Sequence, residues 1–208
     1  MITSSIQKSV QGIGLFIASL WAIYFIDLIL PLQFSNWGII PRRLIGLLGI
    51  PLSPFIHGSL GHLISNTIPL AILLFLFVNS RMQPWLRIAE IGLLSGLLLW
   101  LFGRNGSGDH LAVHVGASGL IYGLIAYLIV VGFREKHPVS LVIALLVGFL
   151  YGGTLLWGVL PISQAISWDG HLFGAVAGGI LALLFPTQQD NRDCESPIDL
   201  LKRRGFDV

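Results

Sequence analysis

A bundle of membrane-spanning α-helices is what this sequence predicts, and three observations predict it. Of 208 residues, 54% are hydrophobic and only 11% charged, whereas soluble domains carry roughly 25% charged residues. Mean hydropathy is +0.83. The apolar residues gather into six runs, at 12–32, 60–78, 85–102, 115–133, 139–157 and 168–185, each near the ~20 residues that a spanning helix needs. The expected fold class is therefore an all-α membrane protein of six transmembrane helices, divided into a short leading segment (1–11), a six-helix membrane domain (12–186) and a polar tail (187–208).

The first run, Gly12–Leu32, is too long for a signal-peptide core of about 7–15 residues and has no A-x-A-like cleavage site after it. It reads as a retained helix. The loop Gln33–Ile56 is long and rather apolar, with Trp37, Pro41, Pro51 and Pro54, and should lie in the interface or pack on the bundle. The second run, Leu60–Val78, opens beside His57, His62 and Asn66. The third, Trp85–Phe102, carries Glu90 early. The fourth, Val115–Phe133, opens on Gly116-Ala117-Ser118-Gly119. The fifth is Val139–Trp157. The sixth, Trp168–Phe185, carries Gly170-His171 near its start, then Gly174 and Gly178. After Pro186 the chain turns polar, and a disordered tail with a short basic helix at Leu200–Arg204 is expected. No internal repeat is visible, so an inverted-repeat transporter gains no support. Asp27 and Glu90 lie near helix ends and read as interfacial.

Lys and Arg placement sets the orientation. With six helices both termini share a side. That side collects Lys8, Arg81, Arg87, Arg134, Lys136, Arg192, Lys202, Arg203 and Arg204, and the other holds Arg42, Arg43 and Arg104. Both termini are expected in the cytoplasm. His57, His62, Asn66, Ser118 and His171 then all fall at shallow depth from the external face. The basic residues are spread over short loops, so no nucleic-acid partner is expected. The single cysteine, Cys194, lacks a partner for an internal disulfide or a zinc site.

Polar side chains inside an apolar span are costly and tend to be functional. Ser118 lies a few residues into its predicted helix, where unpaired N–H groups and the positive end of the helix dipole favour a developing anion. Gly116 and Gly119 leave room for a substrate carbonyl, although small residues also serve plain helix packing. Gly170, Gly174 and Gly178 recur every four residues and make a bare face, and Gly119 and Gly123 offer its counterpart. Such a seam permits the close approach that a Ser118–His171 hydrogen bond requires. His62 and Asn66, four apart, share a helix face, and both can donate to an oxyanion. His57, at the start of that helix, is expected to hold the first loop. Histidines at 57, 62, 110, 114 and 171 raise a metal site as competitor, with His110 and His114 four apart. Zinc peptidases, however, use H-E-x-x-H with a base glutamate, and the only acidic residues expected near that face are Asp109 and Asp169. Neither a metal nor another cofactor is expected.

Together, His57-x-x-x-x-His62-x-x-x-Asn66, Gly116-Ala117-Ser118-Gly119 and His171 with Gly174 and Gly178 resemble the rhomboid family of intramembrane serine proteases, over roughly residues 10–186. The resemblance implies a Ser–His dyad without a third acidic member, with Ser118 as nucleophile and His171 as general base and acid. It implies an oxyanion hole of His62, Asn66 and the Ser118 N–H. Tyr122 matches an aromatic residue that packs on the catalytic histidine ring, and Gly116 and Ala117 flank the substrate. Many bacterial members carry a Trp-Arg pair in the first loop; here Pro41-Arg42-Arg43 is the nearest basic element. Asp169 is expected to serve as a helix-start residue, since a neighbour in a helix points about 100° away from His171. The expected activity is endoproteolysis of single-pass transmembrane substrates within the lipid bilayer, near the outer face and in a bacterial plasma membrane. The alternative is a non-catalytic binder of transmembrane helices.

Overall fold

The computed structural model describes residues 2–30, 32–107, 110–162 and 167–185. The expectations for Asp109, Cys194, the 187–208 tail and its basic helix fall outside the described residues, as do those for the side chain of His110.

Helix α1 (Ile2–Ile29) is followed by a loop of 3₁₀ turns, at Phe34–Trp37, Leu44–Leu47 and Ser53–Phe55, that enclose the single-turn α2 (Gly49–Leu52). Then come α3 (Leu60–Ser80), α4 (Pro84–Phe102), a two-residue antiparallel ladder of β1 (Gly106–Ser107) with β2 (His110–Leu111), α5 (Ser118–Glu135), α6 (Pro138–Gly158) and α7 (Trp168–Leu184). Five of these helices, in α1, α3, α4, α5 and α6, are long and apolar enough to cross a membrane, and α7 is apolar but only 17 residues long.

Local chemistry sets the boundaries. Ser59 caps α3 by accepting from the His62 N–H at 3.2 Å, the usual N-cap arrangement. Pro84 and Pro138 open α4 and α6, where the missing N–H costs nothing. Lys136 closes α5 in the left-handed conformation (φ 53°). Helix α1 begins ten residues before the apolar run because its first turns are polar yet helix-compatible. Helix α5 begins at Ser118 rather than Val115. Gly116 has φ +111° and gives its N–H to the Ser53 carbonyl at 2.9 Å, so the chain cannot be helical there. Ser118 is consequently the first residue of the helix, not a few residues in.

Helix α5 is the centre of the bundle: 61% of its span is buried, against 11% for α1 and 17% for α6. Its glycines meet those of α7. A Cβ on Gly174 would overlap the Gly119 carbonyl, and one on Gly178 the Gly123 carbonyl, so the two backbones pack in direct contact. On the other side Leu63, Leu70, Leu74 and Phe77 of α3 join Leu124 and Ile125 of α5 in the core. The first loop packs on α4. Arg42 donates to the Leu101 and Gly103 carbonyls at 3.1 and 2.9 Å, using the open C-terminal end of that helix. Thus Arg42, the nearest basic element to the missing Trp-Arg pair, ties the loop down.

The end of the bundle opposite Ser118 is held by ion pairs. Arg81, after α3, meets Glu135 of α5 at 2.9 Å and Ser140 of α6 at 3.1 Å, and Ser140 in turn donates to Glu135. Arg87 and Glu90 pair within α4 at 2.6 Å. Arg134 donates to the Ala182, Leu183 and Phe185 carbonyls and closes the end of α7.

Candidate active site

Helices α3, α5 and α7 all begin at one end of the bundle, and their first turns surround a cavity of about 1160 Å³. Ser118, His171, His62, Asn66 and Tyr122 line it. Ser118, at the start of α5, is half-buried, and its backbone N–H has no partner among the described residues. An unpaired N–H at a helix N-terminus is suited to a developing anion.

His171 is fixed from two sides. Its Nδ1 lies 2.9 Å from the Gly158 carbonyl, at the end of α6. A carbonyl only accepts, so Nδ1 carries the proton and the neutral ring keeps its lone pair on Nε2. Tyr122 stacks on the ring at 4.1 Å between centroids and 6° between planes, and its hydroxyl donates to the Thr154 carbonyl at 2.8 Å. No hydrogen bond joins Ser118 to His171. Gly158 itself sits against Tyr122: a Cβ there would overlap the phenol oxygen.

His62 and Asn66 project from the first turns of α3 against the start of α5. A Cβ on Gly116 would meet His62 Nε2 at 2.6 Å and Asn66 Nδ2 at 3.4 Å, so glycine there makes room for both donors. Ala117 is fully buried and lines none of the cavity. His57, expected to hold the first loop, lies within reach of the Phe55 backbone of that loop and also serves Asn66. The histidine is buried, and its Nε2 receives a hydrogen bond from Asn66 Nδ2 at 3.0 Å. Burial, with neighbouring His62 adding to it, lowers the His57 pKa to about 4, so the ring is a neutral acceptor at pH 7.

Asp169 is in the first turn of α7, as expected of a helix-start residue, but it is also 2% exposed and paired. It accepts from the Arg104 N–H at 2.9 Å, the Arg104 guanidinium at 3.2 Å and the Ser167 hydroxyl at 3.2 Å. His114 lies beside it, with Nδ1 at 2.7 Å from Ser167 Oγ and Nε2 at 3.3 Å from the Arg104 carbonyl. Burial holds the His114 pKa below its ordinary value, against the raising influence of the Asp169 carboxylate. His110 and His114 lie on extended backbone and share no helix face. Among the described residues no three His, Cys, Asp or Glu side chains come together as metal ligands.

Gly158, Thr154, Arg104 and Ser167 are the site neighbours that sequence reading does not single out. An acid in an apolar run needs a partner, and Arg104, one of three basic residues expected on the same face, is a candidate that the pattern alone does not choose.

A model of the Rhomboid domain matches residues 43–188, a shorter stretch than the motifs suggested, leaving α1 outside. An uncharacterized protein of Mycobacterium tuberculosis is 40% identical over 173 residues, covering 81% of this chain and 72% of that protein. One of Mycobacterium leprae is 36% identical over 173 residues, covering 81% and 68%. A putative rhomboid protein of Acanthamoeba polyphaga mimivirus is 30% identical over 142 residues, covering 67% and 75%.

Proposed function

The chain belongs to the rhomboid family and is an integral membrane protein, and on that premise we propose that it is a serine endopeptidase that cleaves transmembrane segments with Ser118 and His171. One observation carries the reading. His171, locked by the Gly158 carbonyl as the tautomer with a free Nε2, lines the same cavity as Ser118 at the N-terminus of α5. A serine alone is a weak nucleophile and needs such a base.

The steps follow from these atoms. Ser118 Oγ attacks the scissile carbonyl while His171 Nε2 takes its proton. The Ser118 N–H, His62 and Asn66, which line the same cavity, serve in this reading as donors to the tetrahedral oxyanion. The imidazolium gives its proton to the leaving amine. Water entering through the cavity then attacks the acyl-enzyme, with His171 again as base, and releases Ser118. A catalytic Ser118–His171 hydrogen bond forms as substrate binds, since such contacts tighten in the Michaelis complex. The five long helices and the shorter α7 all span the bilayer in this reading, both termini are cytoplasmic, and the cavity opens outward. The scissile bond lies in the outer part of a single-pass substrate. Gly and Pro near the cut favour cleavage, because they loosen the helix that hides the carbonyl.

The test is incubation of the purified protein with a transmembrane reporter, beside Ser118→Ala. Cleavage by the wild type alone, with a fluorophosphonate labelling Ser118, is expected. Equal proteolysis by Ser118→Ala would remove the dyad. A folded wild type that binds the reporter but neither cleaves it nor takes the label would be a non-catalytic binder of helices.

A further inference from the structure

Four side chains beside the cavity take no part in the chemistry above, yet they join the two segments that carry it. His114 precedes Ser118 by four residues. Ser167 and Asp169 precede His171 by four and two. The His114 backbone is fixed by a pair of 2.9 Å hydrogen bonds to Ile39. Its Nδ1 reaches Ser167 Oγ at 2.7 Å, and the Ser167 carbonyl accepts the His171 N–H at 3.1 Å. Asp169 then takes two hydrogen bonds from Arg104, which lies just beyond α4. The lead-in to α5 is thereby pinned to the first turn of α7, and both to the end of α4.

Below the dyad the same two helices are held by their glycines, with Gly174 against Gly119. Ser118 and His171 thus sit between a small-residue seam on one side and a polar cross-link on the other. The seam fixes how closely the helices approach. It does not fix how far each N-terminal turn splays, and that splay sets the distance from Ser118 Oγ to His171 Nε2. We propose that His114, Ser167, Asp169 and Arg104 form a clamp that sets the separation of Ser118 from His171, acting as positioning residues for proteolysis. The clamp rests on the reading that these two are the catalytic pair. Asp169 is then neither a mere helix-start residue nor a triad acid: its carboxylate is occupied by Arg104 and Ser167 and touches neither member of the dyad.

Misplacing reacting groups by about 1 Å costs about 10²-fold in rate, without weakening substrate binding elsewhere. The experiment compares Asp169→Asn, the milder Ser167→Ala and their double variant with wild type in proteoliposomes. Steady-state cleavage of a transmembrane reporter, the rate of Ser118 labelling by a fluorophosphonate, and the thermal midpoint are measured on each. Asp169→Asn should lower kcat about 10²-fold with KM within about twofold, and labelling should slow in parallel. Ser167→Ala should lower both about 10-fold, and the double variant should be no worse than Asp169→Asn, since the residues act as a unit. Arg134→Gln, which frees the far end of the same helix, serves as control: its midpoint should fall while kcat stays unchanged. Wild-type kcat and labelling in folded Asp169→Asn and Ser167→Ala, or a change confined to KM, would overturn the clamp alone. A folded wild type that takes no label at Ser118 would overturn the catalytic reading and the clamp with it.

Discussion

The two ends of the bundle differ in how fully they pair their polar groups. At the end where α3 and α5 finish, charges are neutralised within the protein. Arg81 and Glu135 are 6% and 2% exposed and pair at 2.9 Å, with Ser140 bonded to both. Arg134 covers the last carbonyls of α7. At the end where α3, α5 and α7 begin, the Ser118 N–H and His171 Nε2 have no hydrogen-bond partner among the described residues, and both residues line a cavity with His62 and Asn66. Both residues are half-buried and open to the cavity, so a ligand can reach them. The first end pairs its polar groups; the second pairs Asp169 with Arg104 but leaves Ser118 and His171 open to the cavity. Substitutions at the two ends should therefore separate into losses of stability and losses of rate.

The largest effect tests the open end. Ser118→Ala and His171→Ala should each abolish cleavage with the thermal midpoint retained, and the double variant should be no worse than either, because the two act as one unit. Cleavage rates and thermal midpoints of the three purified variants check this. If Ser118→Ala unfolded the protein, the contrast between the ends would collapse.

Next comes the closed end. Arg81→Ala takes the guanidinium away from the buried Glu135 carboxylate, a change that typically costs about 3–5 kcal/mol. Denaturation in mild detergent should register that loss, while kcat per folded molecule stays at the wild-type value. A rate defect with unaltered stability would show that the ion pair communicates with the dyad. Somewhat smaller is the effect at the oxyanion donors. Removing one such donor costs about 10²–10³-fold in kcat, so His62→Ala and Asn66→Ala should each slow turnover by that amount and leave stability little changed. Unchanged rates in both would place the stabilising donors elsewhere.

Sequence patterns carried the apolar runs and the glycine spacing, because both are local: a helix face repeats every few residues and can be read without knowing what lies opposite. They also gathered Ser118, His171, His62 and Asn66, since polar groups stand out in apolar runs. What they could not carry was long-range pairing. Gly158 matters through its carbonyl, which every residue possesses. Arg104 and Asp169 lie 65 residues apart, with no periodicity to join them. His57 gave a histidine but not its partner, because a ring nitrogen can serve a loop carbonyl or an amide equally well. The late start of α5 depended on the positive φ of Gly116, and a glycine in an apolar run is equally compatible with helix. The β1–β2 ladder is two residues per strand, too short for alternation to show.

The smallest effect concerns pH and His57, a group that stands between the two behaviours. It is buried and bonded like the closed end, yet its partner Asn66 belongs to the open one. An amide nitrogen only donates, so His57 Nε2 must accept, and the ring must be neutral. Its folded-state pKa of about 4 lies below the ordinary 6.5, so between these values the unfolded chain binds the proton and the folded protein does not. Stability therefore falls as pH drops from about 6.5 towards 4, by at most about 3 kcal/mol from this group. His114, also lowered by burial, adds to the same acid loss. Protonation puts a hydrogen on Nε2 facing the Asn66 amide, which must turn away and withdraw a donor from the cavity. Thermal midpoints and kcat measured from pH 7.5 to 4 should both decline in wild type. In His57→Gln, whose amide oxygen can accept from Asn66 without titrating, the stability decline should be shallower by up to that amount. Parallel curves for the two proteins would show that His57 holds Asn66 in neither structure nor catalysis.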